Sequence, residues 1–99
     1  MSERNDRWPF ADPQNVATIS LRDIIDGRAP ILLVSHDADD GMWQFLDGRN
    51  DLTAEDAVVL SLDCVLALDP SIAQLADLPL GWQAWRENVN QPWQRESAE

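Results

Sequence analysis

Two short apolar segments joined by an acidic turn constrain the fold of this chain more than any other feature of its sequence. The run Ile31 to Val34 has the length and composition of a buried strand. Residues 35–41 are rich in turn-forming side chains and end in Asp40-Gly41, a dipeptide that favours tight connections between strands. Residues 42–46 then alternate between two faces, as a strand requires. The sequence therefore predicts a β-hairpin over residues 31–46.

A short helix is predicted before this hairpin. Ser20 is followed three residues later by Asp23, which is the spacing of a capping box with Ser20 as the N-cap. Leu21, Ile24 and Ile25 form an apolar stripe at helical spacing. Gly27 is placed to end the helix, since glycine readily adopts the left-handed conformation found after helix termini.

The second half of the chain allows two interpretations. One helix could run over residues 54–68, but Val58-Val59 favours extended backbone, so we predict a strand at 57–60. Ser61 would then cap a second helix. Asp69-Pro70 restarts a helical turn, because proline suits the first helical position.

The 99 residues are predicted to form one α+β domain. We expect a small, largely antiparallel sheet with a central hairpin at about 31–46, packed by two or three short helices, and a last strand at 82–87. Residues 16–93 would form the domain. Residues 1–15 are interpreted as a flexible lead-in, although Trp8 and Phe10 could pin part of it to the domain, and residues 94–99 as a polar tail.

The charge balance restricts the partners of this domain. Eighteen acidic residues face seven cations, all arginine, for a formal net charge of −11. Residues 37–77 alone contain ten acidic residues and one arginine, a net −9. Such a chain is a poor ligand for nucleic acid or for an anionic membrane surface, because both are bound through cations. A basic protein is the electrostatically favoured partner.

The sequence also bears on cellular location. Cys64 is the only cysteine, so no intramolecular disulfide can form. The first fifteen residues contain no apolar stretch typical of a signal peptide, and no apolar run approaches the length needed to span a bilayer. We therefore expect a cytoplasmic protein.

Candidate chemistry centres on the acidic turn. His36, Asp37 and Asp39 could ligate a divalent cation, a metal- or ligand-binding alternative that would also involve Asp40. The spacing departs from that of a calcium-binding loop, and we favour a turn whose carboxylates bond its own amides. Cys64 with His36 could form a nucleophile and base, but no glycine-rich oxyanion turn accompanies them. The sequence predicts no cofactor and no catalytic site.

Five tryptophans in 99 residues indicate a possible interface. Trp43 is expected in the core, whereas Trp93 is expected to fold the chain terminus back over the sheet. Trp82 shares a strand face with Arg86, and an exposed tryptophan beside an arginine is typical of an interaction site. The candidate partner-binding residues are Asp37, Asp39, Asp40, Asp47, Asp51, Trp82 and Arg86.

Several of these segments together resemble a family of small bacterial proteins of unknown function, often described as immunity proteins of polymorphic-toxin systems. The matching residues are Val34-Ser35, Asp40 to Gly48, Leu60 to Leu62, Val65 to Ile72, Leu78 to Gly81, Arg86 and Trp93. The resemblance covers most of residues 34–93. It implies a compact α+β fold and a role in binding and neutralising a toxin, and it implies no catalytic residues.

Overall fold

Six short strands form one mixed sheet in the computed structural model, which describes residues 8–48 and 54–97. The strands are β1 (Ala17–Leu21), β2 (Leu33–His36), β3 (Trp43–Leu46), β4 (Ala57–Ser61), β5 (Trp82–Trp85) and β6 (Gln94–Ser97). The helices are α1 (Arg22–Ile25) and α2 (Leu62–Leu68), with 3-10 turns at Ala54–Asp56 and Pro70–Leu75. The chain is therefore α+β, as predicted.

The strand order is β4-β1-β3-β2-β5-β6. Strands β1 and β3 pair in parallel, and each other neighbouring pair is antiparallel. In the β2–β3 pair His36 lies opposite Trp43, and in the β2–β5 pair His36 lies opposite Trp82. The turn after His36 and the start of β5 therefore lie at the same end of the sheet, which we call the turn end.

One face of the sheet carries the core. The fully buried strand residues Val34, Phe45 and Ala84 share this face with Trp43, which is almost fully buried. The helical segments contribute Leu62, Val65, Ile72 and Leu75, all without exposed surface. Two buried hydroxyls on β1 are paired: Thr18 donates to the Leu60 carbonyl and Ser20 to the Phe45 carbonyl, both over 2.8 Å. Burying these polar side chains therefore leaves neither hydroxyl unsatisfied.

The opposite face, which we call the open face, has no comparable cover in the described chain. Leu21, at the end of β1, is buried and is not counted with this face. The other strand residues on this side of the sheet are partly or fully exposed. The open face consists of Ala17, Ile19, Leu33, Ser35, Gln44, Leu46, Ala57, Val59, Ser61, Gln83, Trp85, Gln94 and Glu96.

The predicted Ser20 cap is wrong. Ser20 lies inside β1, α1 begins at Arg22, and the residue before it makes no side-chain capping bond. The Ser20 hydroxyl bonds strand β3 instead, because pairing with distant strands outweighs a local capping pattern. The end of the helix is as predicted: Gly27 has φ +82° and its amide donates to the Ile24 carbonyl.

The strand interpretation of residues 57–60 is confirmed, since β4 covers them and α2 begins directly after Ser61. The Ser61 hydroxyl bonds the Asp63 carboxylate and Cys64 rather than a helix amide. Pro70 is the first residue of the following 3-10 helix, as predicted, and Asp69 caps it by accepting from the Ser71 amide.

Both ends of the described chain contact the domain, which the sequence analysis allowed for Trp8 and Phe10 but not for residues 94–97. Phe10 is buried in the core, and the Trp8 indole donates to the Asp12 carbonyl over 2.7 Å. Residues 94–97 form edge strand β6 against β5, whereas the sequence suggested a polar tail. Strand β5 ends at Trp85, two residues before the predicted boundary. Within the described residues, no helix has the length and apolar character needed to cross a membrane.

Candidate partner-binding surface

The acidic turn between β2 and β3 is held by its own backbone and carboxylates. The Asp37 carboxylate accepts from the Asp39 amide over 2.8 Å, and the Asp40 carboxylate accepts from the Met42 amide over 2.9 Å. The Gly41 amide donates to the Asp37 carbonyl, and Gly41 has φ +72°, a conformation that favours glycine. The turn therefore presents Asp39 and Asp40 to solvent from an ordered backbone.

Two exposed apolar side chains lie beside this turn. The Gly81 amide donates to the His36 carbonyl over 2.7 Å, which holds the start of β5 against the end of β2. Leu80 is 56% exposed, and its Cδ2 atom lies 4.0 Å from where a Gly41 Cβ would be. Trp82 is 36% exposed. We call Asp37, Asp39, Asp40, Leu80 and Trp82 the acidic surface.

Further carboxylates lie at the turn end. The Asp12 carboxylate accepts from the Trp43 indole over 3.1 Å, and Asp12 and Asp40 line the same cavity of about 250 Å³. Asp63 follows β4 at this end, where its amide donates to the Gln14 carbonyl. The local potential at the turn end is therefore negative, and two of these acids come from outside the acidic turn.

An ion pair joins edge strand β6 to the helical layer near this end. Arg95 lies 2.8 Å from the Asp77 carboxylate, and it also donates to the Gln74 carbonyl over 2.6 Å. The hydrogen bond from Arg95 and its positive charge hold the pKa of Asp77 below its usual value of 3.8. Since Asp77 is exposed, solvent screens the pair and its contribution to stability is small.

This lowered pKa predicts a pH-dependent difference between the wild type and Asp77→Asn. A carboxyl group whose pKa is depressed by folding stabilises the protein above its unfolded pKa. We expect the wild type to have the higher urea midpoint at pH 7, with the difference disappearing as the pH falls through the folded pKa, below about 3.8. Arg95→Gln should show the same loss at pH 7, and a midpoint difference that persists at pH 2.5 would contradict this account.

The His36 side chain, at the start of the acidic turn, contacts Leu78 and Trp43. Its Nδ1 lies 2.8 Å from the Leu78 carbonyl oxygen; because a carbonyl only accepts, Nδ1 carries the proton. Its ring stacks on Trp43 with centroids 3.9 Å apart and planes 13° apart. Across residues 8–48 and 54–97, no three His, Cys, Asp or Glu side chains are grouped so that they could hold a metal ion. The arrangement does not favour the alternative with His36, Asp37 and Asp39 as ligands.

Other candidate residues lie elsewhere. Asp47 follows β3 and is therefore at the end of the sheet opposite the turn end. Glu55 and Asp56 precede β4, whose first residue pairs with Leu21 at that same opposite end. Asp51 lies outside the described residues. The described acidic residues of 37–77 are thus divided between two ends of the sheet and do not form one continuous face.

Arg86, a candidate partner-binding residue in the sequence analysis, is buried and is not available to a partner. Its side chain is only 3% exposed and lies 2.7 Å from the Asp69 carboxylate. The guanidinium also donates to the Ile31 carbonyl over 3.1 and 2.9 Å and to the Ser71 hydroxyl over 3.1 Å. The Trp93 ring covers it at 4.1 Å, while the residues after Trp93 extend the sheet as β6 and do not fold back over it. Arg86 therefore links the end of β5, the segment before β2 and the 3-10 helix at Pro70–Leu75.

The two side chains considered for nucleophilic chemistry have separate partners. Cys64 is exposed on α2, and its sulfur lies 3.2 Å from the Ser61 hydroxyl. His36 bonds Leu78 and stacks on Trp43. Neither contact supplies Cys64 with a base.

No family model, curated protein or solved structure matches this chain. The resemblance to immunity proteins therefore remains a prediction from the residues quoted above. The acidic surface is the strongest candidate site because it combines fixed charge with exposed apolar groups.

Proposed function

We propose that this chain is a non-catalytic binding protein, immunity-like in role, whose acidic surface binds a basic protein such as a toxin. The observation that carries the proposal is the position of exposed Leu80 and Trp82 beside Asp37, Asp39 and Asp40. Apolar anchors bordered by charge are typical of specific protein interfaces.

The charges near this surface suit a cationic partner. Among the described arginines, Arg22, Arg28 and Arg86 follow strand or helix ends opposite the turn end, and Arg95 is already paired with Asp77. None of these four described arginines is recorded in an ion pair with the carboxylates of the acidic surface, so those carboxylates can attract lysine and arginine side chains of a partner. Such steering raises the association rate and declines as salt is added.

Trp82 and Leu80 would supply the apolar part of the contact. A tryptophan ring offers a large area for burial, and its face can bind an arginine guanidinium. We therefore expect the partner segment to carry basic side chains around an aliphatic or aromatic residue. The separate contacts of His36 and Cys64 support a role in binding rather than catalysis.

Two variants with equal charge changes test the surface. Asp37→Asn/Asp39→Asn/Asp40→Asn and Asp47→Asn/Glu55→Gln/Asp56→Asn each remove three negative charges, at opposite ends of the sheet. Immobilised wild type should capture a basic protein from its own cells at 50 mM NaCl and release it at 500 mM. With that protein purified, the first variant should bind at least tenfold more weakly by calorimetry, whereas the second should stay within about threefold. Trp82→Ala should also weaken binding by about tenfold or more.

Two results would contradict this proposal. One is equal weakening by the two triple variants, since that would reflect net charge rather than a surface. The other is failure to recover a basic protein at low salt. The immunity role has its own test: if the captured protein arrests growth when expressed alone, co-expression of this chain should restore growth, and the first triple variant should not.

A further inference from the structure

A cavity of about 530 Å³ lies at the end of the sheet opposite the turn end. Its walls come from α1 and the residues that follow it up to Ile31, from the end of α2, and from the segment after β5. We call it the Arg28 cavity. Its volume is within the range of small-molecule sites in proteins.

Much of the lining of this cavity is apolar. Ile24 and Ile31 belong to the core, whereas Leu68 and Val89 are 45% and 56% exposed. Exposed apolar side chains beside a cavity gain free energy when an apolar group removes their surface from water. The Arg28 cavity therefore favours a ligand with an apolar body.

The charged groups of the lining leave one positive charge without a partner. Asp69 is the acid of the lining, and both of its oxygens already accept, from the Ser71 amide over 3.0 Å and from Arg86 over 2.7 Å. Arg86 and Asp69 therefore offset each other. Arg28 is exposed, and no ion pair joins its side chain to another described residue.

Four other cavities lined by described residues have no such excess of positive charge. Two contain Arg86 together with one acid, either Asp47 or Glu87. The other two contain acidic residues and no arginine. In a protein of net charge −11, the Arg28 cavity is therefore the one of these five that is suited to an anion.

The Ser71 hydroxyl supplies a second donor in the same cavity. It accepts from Arg86 Nη1 over 3.1 Å, and no described residue accepts its own proton. A hydroxyl group carries one donor in addition to its acceptor sites, so this proton is available to a ligand. A guanidinium and a hydroxyl are both groups that donate to a carboxylate.

We propose that the Arg28 cavity binds a small organic carboxylate with an aliphatic or aromatic body. The carboxylate accepts from Arg28 and Ser71, and the apolar body covers Leu68 and Val89. An inorganic anion lacks the apolar body, and a neutral apolar molecule leaves both donors without an acceptor. The inference does not depend on the proposed function, because the acidic surface lies at the other end of the sheet.

The acids elsewhere at this end of the sheet do not prevent such binding. Asp47, Glu55 and Asp56 lie at the same end, but none of them lines the Arg28 cavity. At physiological ionic strength, exposed charges are screened beyond about 8 Å. The charges of the lining therefore act on the ligand more strongly than those of the rest of the protein.

Titration of the isotope-labelled full chain with octanoate, followed by NMR of the backbone amides at pH 7 and 150 mM NaCl, tests this site. The amides of Ile31, Ser71 and Val89 should shift together with a dissociation constant below about 1 mM, while those of the acidic turn remain unchanged. Octanol has the same chain without the charge, and inorganic phosphate has charge without the chain. Each should bind at least tenfold more weakly than octanoate.

Variants at exposed positions separate the site from net charge. Arg28→Gln should weaken octanoate binding about fivefold, since an exposed charged donor contributes less than a buried one. Val89→Glu places a negative charge against the ligand and should weaken binding at least tenfold. Arg22→Gln removes the same charge from α1 outside the lining, and its affinity should stay within about twofold of the wild type.

The amide spectrum of each variant verifies folding. The triple variant Asp37→Asn/Asp39→Asn/Asp40→Asn should bind octanoate like the wild type, which separates this site from the acidic surface. The proposal is overturned if octanoate shifts none of the lining amides up to about 5 mM, if octanol binds as tightly as octanoate, or if a folded Arg28→Gln retains full affinity.

Discussion

Replacing Arg86 with alanine should lower the free energy of unfolding by about 3 kcal/mol, the lower end of the range for breaking a buried ion pair, because Arg86 is buried but its partner Asp69 is 22% exposed. The Asp69 carboxylate would lose the guanidinium 2.7 Å away, and the Ile31 carbonyl would lose both of its bonds from Arg86. The Trp93 ring would lose the cation that it covers at 4.1 Å. Three segments distant in sequence would therefore lose their common connection.

Urea unfolding at pH 7, followed by tryptophan fluorescence and circular dichroism, measures this effect. Asp69→Asn keeps the shape of the partner but removes its charge, and it should cost less than Arg86→Ala. The double variant Arg86→Met/Asp69→Leu removes both charges and should recover part of the loss, since it leaves no buried charge unpaired. If Arg86→Ala unfolds at the same urea concentration as the wild type, the buried network contributes no net stability.

Trp43→Ala should lower the free energy of unfolding by about 3–5 kcal/mol, the usual cost of truncating a large buried aromatic residue. Trp43 is 1% exposed and lies 5.4 Å from the Phe10 ring and 6.0 Å from the Phe45 ring. It also stacks on His36 and donates to the Asp12 carboxylate. The substitution would therefore leave a cavity, and the His36 ring and the Asp12 carboxylate would lose these contacts.

The same unfolding experiment tests Trp43→Ala, with Val59→Ala as the matched control. Val59 is 67% exposed on the open face, so its truncation should change the free energy of unfolding by no more than about 0.5 kcal/mol. Similar losses for the two variants would mean that burial on the core face does not decide stability. Trp43→Ala should also weaken binding to the acidic surface, because His36, which begins the acidic turn, would lose its stacking partner.

Local structure could be predicted where neighbouring residues decide it. The strand at 57–60 and the helical turn beginning at Pro70 follow from β-branched side chains and from the fixed φ of proline. Gly27 ends α1 because glycine readily adopts positive φ. Each of these preferences acts within a few residues, so the sequence around the position contains the necessary information.

Prediction was incomplete where distant residues decide the structure. Ser20 has a capping pattern, yet it belongs to a strand paired with β3 and β4. The sequence of residues 94–97 predicts a polar tail, but these residues form strand β6. They do so because the backbone groups at the edge of β5 can pair with them. The sequence analysis made Arg86 a candidate partner-binding residue. Its side chain is instead buried against Asp69, Ile31 and Trp93, none of which is its sequence neighbour.

In the candidate site, too, local features could be predicted from the sequence and long-range features could not. The turn chemistry predicted that Asp37, Asp39 and Asp40 lie together, and Trp82 was recognised as a possible anchor. Leu80 was missed, although it is an apolar residue between the turn formers Pro79 and Gly81, a pattern that can expose a side chain. The place of Trp82 beside the acidic turn depends on the antiparallel pairing of β2 and β5.

The sequence by itself determined the charge of −11, the short elements and the acidic turn, because composition and local backbone preferences are properties of neighbouring residues. Only the tertiary structure decided that the described acids divide between two ends of the sheet and that Glu96 is the one ionisable residue among those named on the open face. Both follow from the strand order and the parallel β1–β3 pair, which join residues far apart in the chain. Pairing at that range depends on the packing of the whole core, and no short stretch of sequence encodes it.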